Sequence, residues 1–133
     1  MYLVDTNVWL ERLLDQERSE EVAHFLSSIS SDHLFITDFA FHSISIILSR
    51  FGEVNALRSF VRDAFIEGAV GLIRLLPEDT EFIVQAMGKF KLDYDDAYQY
   101  IAAEKYDLVI VSFDTDFDRT IRGRKSPKEV LDI

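Results

Sequence analysis

Apolar positions along this chain alternate between two patterns. Short continuous runs read as buried strands: Tyr2-Leu3-Val4, Leu34-Phe35-Ile36, Leu72-Ile73 with an extension through Leu75, and Leu108-Val109-Ile110-Val111. Between them the apolar residues recur at helical spacing. Val22, Phe25, Leu26 and Ile29 form one stripe of a helix with Ser19 as its expected N-cap. Thr37 has the chemistry of an N-cap for a helix reaching Arg50, and Gly52 breaks the chain after it. Val54, Leu57, Val61, Ala64 and Phe65 form another helical stripe, which reads as an inserted hairpin element. Gly68 and Gly71 bracket the turn into the third strand. Pro77, Glu78 and Asp79 open a helix that carries Phe82, Ile83, Ala86 and Met87 inward and stops near Gly88. The next helix opens around Asp95-Asp96 and carries Ala97, Tyr100 and Ile101. A last short strand is expected in Glu129–Ile133.

Strands that alternate with helices, and are themselves near-continuous apolar runs, belong to a parallel sheet covered by helices on both faces. The 133 residues suffice for one such domain, expected to span 1–133. A composition of 48% hydrophobic and 29% charged residues excludes a disordered tail or a fibrous repeat. The absence of cysteine excludes disulfides, thiolate catalysis and zinc–thiolate sites. No apolar run is long enough to span a bilayer. The first strand follows Met1 directly and leaves no room for a signal peptide, so a cytoplasmic protein without membrane association is expected.

An open parallel sheet presents ligands beyond the carboxyl ends of its strands. Asp5-Thr6-Asn7 follows the first strand, Thr37-Asp38 the second, and Ser112-Phe113-Asp114-Thr115-Asp116 the last. Asp93-Tyr94-Asp95-Asp96 opens the helix that feeds that last strand. Taken singly, each aspartate reads as a cap or a solvated loop residue. Asp5 is harder to dismiss, because it ends a central strand where an unpaired charge is costly. Taken together, Asp5, Asp96 and Asp114 form a group of like charges that a cation would hold in place. With no sulfur available, the carboxylates suit a hard cation, Mg²⁺ or Mn²⁺, able to hold phosphate oxygens and activate water.

Other motifs fail. Asp114-Thr115-Asp116 imitates the start of a calcium loop, but the required Gly and Glu are replaced by Arg119 and Lys125. There is no glycine-rich phosphate loop and no nucleophile elbow. His24, His33 and His42 lack ligand spacing, and Asp5 does not begin an Asp-x-Asp phosphatase motif. A phosphotransfer receiver would need an Asp after its third strand and a Lys after its fifth, and neither is clearly supplied.

The net charge of −10 opposes any polyanion, so such a substrate needs a local exception. One exists beside the last acidic motif, where Arg119, Arg122, Arg124, Lys125 and Lys128 follow one another with no acid between. Such a segment reads as a phosphate-backbone contact or as an ordinary solvated loop. Most of the 11 phenylalanines belong in the core, while Trp9, Phe39 and Phe41 are candidate anchors for a partner.

Three of these motifs carry a family resemblance. Tyr2-Leu3-Val4-Asp5-Thr6-Asn7-Val8-Trp9-Leu10 resembles the opening of a PIN domain, Asp95-Asp96-Ala97 its third acidic motif, and Ser112-Phe113-Asp114-Thr115-Asp116-Phe117 its fourth. Their order and spacing match over nearly the whole chain. At this length the chain is similar to the VapC toxins of toxin–antitoxin pairs. The resemblance implies a three-layer α/β fold with a central, mostly parallel sheet of four or five strands. It implies a Mg²⁺- or Mn²⁺-dependent endoribonuclease acting on single-stranded RNA, a homodimer, and a small antitoxin protein as partner. It assigns Asp5, Asp96 and Asp114 to the metal and Asp116 as a further catalytic acid. Thr6, Asn7 and Ser112 are supporting residues, and Arg119, Arg122, Arg124 and Lys125 are candidates for RNA contact.

One position departs from the family pattern. The glutamate usual on the helix after the second strand is replaced by Ser43, and Asp38, at the start of that helix, does not share its face. The alternative reading is therefore a PIN-like module that binds RNA or a protein without cutting. Cleavage of DNA by a flap-type nuclease rests on fold analogy alone.

Overall fold

A computed structural model describes residues 1–132. Its centre is one sheet of β1 (Tyr2–Val4), β2 (Leu34–Thr37), β3 (Gly71–Ile73) and β4 (Val109–Val111). The spatial order is β3-β2-β1-β4, and every neighbouring pair is parallel. Seven α-helices are described: α1 (Thr6–Leu13), α2 (Ser19–Ser28), α3 (Asp38–Arg50), α4 (Val54–Val61), α5 (Thr80–Phe90), α6 (Tyr94–Tyr106) and α7 (Pro127–Leu131). This is the expected α/β architecture, with four strands.

Three layers follow from the two-residue period of the strands. Val4, Leu34, Ile36 and Val111 point into one core with residues of α1, α2, α3, α4 and α7. Leu3 and Ile110 point into the other, packed against Ile83 and Ala86 of α5, Ala97 and Ala102 of α6, and Phe117. β1 is flanked on both sides and nearly dry, with Leu3 and Val4 fully buried. At the sheet edge Gly71 lies against Phe35, where a Cβ would meet the ring at 2.6 Å.

The chain moves from β1 outward to β2 and β3, then returns to place β4 on the other side of β1. The direction of progression thus reverses between β1 and β4, and a crevice opens beyond their carboxyl ends. Asp5 follows β1 there, and Ser112 follows β4. The Asp5 N–H donates to the Val111 carbonyl at 2.9 Å and holds the two strand ends together.

Several local expectations need correction. The Glu129–Ile133 strand is instead α7, capped by Ser126 with Pro127 and Glu129 completing a capping box, and Ile133 lies outside the described residues. The edge beside β4 is extended by Lys125, paired to Val111 in parallel. Ser19 is the first residue of α2 rather than its cap, and its hydroxyl accepts from Arg12. The helix expected to stop at Gly88 runs on to Phe90 and ends on Lys91 in the left-handed region (φ 55°). Phe82, placed on the inner face by spacing, is 58% exposed. The fourth helical segment changes to a π-helical turn over Arg62–Ile66. Among the described residues, no helix is long and apolar enough to cross a membrane.

Candidate metal centre

A cleft of about 330 Å³ opens beyond β1 and β4 and is lined by Asp5, Asp95, Asp96, Asp114, Thr6, Asn7, Ser43 and Gln99, with Leu10, Phe39 and Ile47. Each acidic residue reaches it for a local reason. Asp5 is the N-cap of α1, so its position is fixed where strand becomes helix. Asp96 lies in the first turn of α6, which Asp93 opens. Asp114 caps the 3₁₀ turn Thr115–Arg119 by accepting from the Asp116 N–H at 2.8 Å. Phe117, fully buried, roots that turn in the core.

Asp96, Asp114 and Asp116 each bring a carboxylate oxygen to a point where all three lie within 4.8 Å of one another. Asp5 lines the same cleft as Asp96 and Asp114 and is only 6% exposed. Its two oxygens accept from the Thr6 N–H at 2.8 Å, Gln99 Nε2 at 3.0 Å, Ser112 Oγ at 2.7 Å and Asn7 Nδ2 at 3.4 Å. Ser112 Oγ also accepts from the Asp114 N–H at 2.9 Å, so one hydroxyl ties the β1 carboxylate to the β4 loop. Asn7 Oδ1 accepts from the Phe113 N–H at 3.2 Å and braces the same loop.

Gln99 belongs to the site although no acidic motif marks it. It is buried on α6, donates to Asp5, and accepts from Thr37 Oγ1 at 2.6 Å. Thr37 in turn caps α3 by accepting from the Ala40 N–H at 3.0 Å. Its signal was its spacing: Gln99 falls three residues after Asp96 and so on the same helix face.

The supporting residues divide. Thr6, Asn7, Ser112 and Ser43 surround the cleft or brace it, whereas Asp38 is turned elsewhere. Asp38 accepts from Tyr98 Oη at 2.7 Å, and Tyr98 Oη accepts from the Leu75 N–H at 2.8 Å. The α3 wall of the cleft therefore carries Phe39, Ser43 and Ile47 and no carboxylate.

The basic segment is largely tied into the fold. Arg119 donates to the carbonyls of Phe90 and Lys91 and to Asp116. Arg122 donates to Glu104, Asp107 and the Leu108 carbonyl, and Arg124 to Asp118 and the Ser112 carbonyl. Lys125 is exposed, and among the described residues its ammonium has no ion pair.

Electrostatics mark the acidic centre. Burial raises the pKa of Asp5 above the ordinary carboxylate value, against the lowering effect of its hydrogen bonds. Asp96 is pushed up to about 8, first by burial, then by the hydrogen bond and charge of Asp114 and the charges of Asp5 and Asp95. Carboxylates crowded this way resist full ionisation unless positive charge joins them. The all-oxygen donor set, without sulfur or imidazole, fits Mg²⁺ or Mn²⁺.

Residues 2–123 match the PIN domain family. No curated protein matches the sequence. Among solved structures, the chain is similar to a toxin–antitoxin complex from Klebsiella pneumoniae, at 20% identity and a TM-score of 0.75, over 96% of this chain and 98% of the other. It is similar to FitAcB from Neisseria gonorrhoeae, at 18% identity and a TM-score of 0.80, over 96% and 99%. It is also similar to VapC20 from Mycobacterium tuberculosis, described as a sarcin–ricin loop cleaving toxin, at 15% identity and a TM-score of 0.75, over 89% and 93%. The fold, the acidic centre at the switch point and the match over residues 2–123 agree: the chain belongs to the PIN domain family.

Proposed function

We propose that this protein is a Mg²⁺- or Mn²⁺-dependent endoribonuclease that hydrolyses single-stranded RNA and serves as the toxin of a toxin–antitoxin pair in the cytoplasm. The observation that carries the reading is the meeting of Asp96, Asp114 and Asp116 at the strand-order reversal, with Asp5 buried in the same cleft. Asp5, Asp96 and Asp114 would hold the cation, joined by Asp116, whose carboxylate clusters with the last two. When bound, such a cation draws phosphate oxygens in and lowers the pKa of water.

The chain's own residues prepare this chemistry. Gln99, Thr6, Asn7 and Ser112 hold Asp5 in one orientation, so none of it has to be reorganised when substrate arrives. Ser112 and Asn7 fix the loop that carries Asp114. Ser43 brings a hydroxyl where the family pattern has a carboxylate, so the acidic set is confined to the β1, β4 and α6 side and suits one cation. That same wall motivates the competing reading, a module that binds without cutting.

A protein partner has separate support. An apolar cleft of about 480 Å³ between α1, α2 and α4 is lined by Trp9, Leu13, Leu26, Ala56 and Phe60. Trp9 is buried there, and among the described residues its indole N–H has no hydrogen-bond acceptor. One similar structure is described as a toxin–antitoxin complex, which favours a small antitoxin as the occupant. A homodimer belongs to the same reading.

Cleavage of single-stranded RNA is expected with Mg²⁺ or Mn²⁺, to leave 5′-phosphate and 3′-hydroxyl ends, and to stop in EDTA. Asp5→Asn should lower the rate at least about 100-fold. Equal rates for the wild type and Asp5→Asn, or full activity in EDTA, would remove the catalytic assignment. Saturable RNA binding without any cleavage would favour the competing module.

A further inference from the structure

Beside the acidic residues of the cleft stands an aromatic group that enters its lining through Phe39 alone and continues outside it through Tyr98 and Tyr94. Phe39 lines the cleft from α3. Its ring stands 5.4 Å from Tyr98 at 30° and 6.1 Å from Tyr94 at 51°, and the two tyrosines are 6.2 Å apart. Tyr98 is the fixed base of this group. It is 8% exposed, and its hydroxyl is engaged with both Asp38 and the Leu75 N–H. Tyr94 is the outermost member of the group. It is the first residue of α6, 44% exposed, and directly precedes Asp95, which lines the cleft, and Asp96.

A nucleotide divides in the same way, into a phosphate that a carboxylate-held cation attracts and a flat base that an aromatic face receives. The charge distribution strengthens the match. The chain carries −10 overall, and Arg119, Arg122 and Arg124 already serve internal carboxylates and carbonyls. With those three arginines engaged and the net charge strongly negative, contacts to the bases as well as to the phosphates help retain a strand. Base stacking on an aromatic ring supplies such a contribution and is tolerant of sequence.

We propose that Tyr94, backed by Phe39 and Tyr98, stacks on the base adjoining the phosphate that the acidic centre engages. Tyr94 is thus a substrate-binding residue that selects RNA whose bases are already unstacked. The inference rests on the nuclease reading above and adds a requirement to it.

The test uses the full chain with Mn²⁺ and a short single-stranded oligoribonucleotide, together with versions carrying one abasic nucleotide at each position near the cut. Tyr94→Ala should raise KM at least about 5-fold, with a smaller effect on kcat, while Tyr94→Phe and Tyr94→Trp stay near the wild type. One abasic position should weaken binding to wild type by a similar factor and add nothing further in Tyr94→Ala, because both changes remove the same contact. A fully paired duplex of the same sequence should be cut poorly. Wild-type KM in Tyr94→Ala, abasic and alanine losses that multiply, or equal cleavage of the duplex would overturn the stacking role and leave the nuclease reading intact. A change of oligomeric state in Tyr94→Ala without a change in KM would assign the residue to a protein contact and overturn it as well. A wild-type protein that neither binds nor cuts the strand with Mn²⁺ would overturn both readings.

Discussion

Asp96→Asn is expected to move stability and activity in opposite directions. In the metal-free protein the variant should melt higher than the wild type at pH 8, and with Mn²⁺ it should cleave RNA at least about 100-fold more slowly. Both effects come from the same crowding. The Asp96 carboxyl is pushed up to about 8 in the folded chain, from an ordinary value of 3.8, by burial and by Asp114, Asp5 and Asp95. Between those two values the unfolded chain has lost the proton and the folded chain still holds it. The contribution of Asp96 to stability is therefore greatest below the ordinary value and is lost as pH rises through the folded one. An amide has no such titration, so the gap between the variant and the wild type should widen from pH 4.5 to about 8. A cation bound only by the folded state reverses the order. Mn²⁺ should raise the wild-type Tm, most strongly near pH 8, and do little for Asp96→Asn. Identical melting of the two proteins at pH 8, or retained cleavage by the variant, would show that Asp96 is not held among like charges.

Phe117→Ala is expected to destabilise the fold by about 3–5 kcal/mol and lower Tm by more than about 8 °C. Phe117 is fully buried and shares its core with Leu3, Ala97, Leu108 and Ile110. It also anchors the 3₁₀ turn that follows Asp114 and contains Asp116. Losing the ring leaves a cavity beneath the turn and frees two of the three clustered carboxylates. Mn²⁺ affinity should therefore fall even at temperatures where the variant remains folded. Phe117→Leu, which refills most of the volume, should recover most of both. Urea melts and calorimetric titration with Mn²⁺ check the two parts separately. A loss under about 1 kcal/mol would mean that the turn is positioned by its hydrogen bonds alone.

Much of the site is local in sequence and so can be read there. β1 and β4 are apolar runs ending on Asp5 and Ser112, and the parallel arrangement alone places those ends together. Thr37 caps its helix as its position suggests. Asp116 clusters with Asp96 and Asp114, a proximity that depends on side-chain direction at the end of each element. The carboxylate partners of Arg122, at Glu104 and Asp107, arise from tertiary packing, so a run of cations that looks free in sequence is engaged in the fold. Asp38 illustrates the same limit, since Tyr98 claims it from 60 positions away.

Some local features that depart from the apolar pattern carry signals of their own. Ser126-Pro127 followed by Glu129 is a capping box with proline at the first helical position, which marks a helix where a strand is expected. Gly88 is an ordinary interior residue of α5, because the left-handed position that ends the helix is filled by Lys91. Phe82 falls on the inner side by spacing alone, but the packing of α5 on α6 uses Ile83 and Ala86 and leaves Phe82 outside.

The central claim is that a divalent cation joins Asp96, Asp114 and Asp116. Calorimetric titration of the metal-free protein with Mn²⁺ near pH 7, in two buffers of different ionisation heat, reads both the binding and the proton that Asp96 gives up. The account predicts saturable binding at one site, a buffer-dependent heat that reports proton release, and loss of both in Asp114→Asn. Heat that never saturates at millimolar Mn²⁺, or an unchanged isotherm in Asp114→Asn, would contradict it.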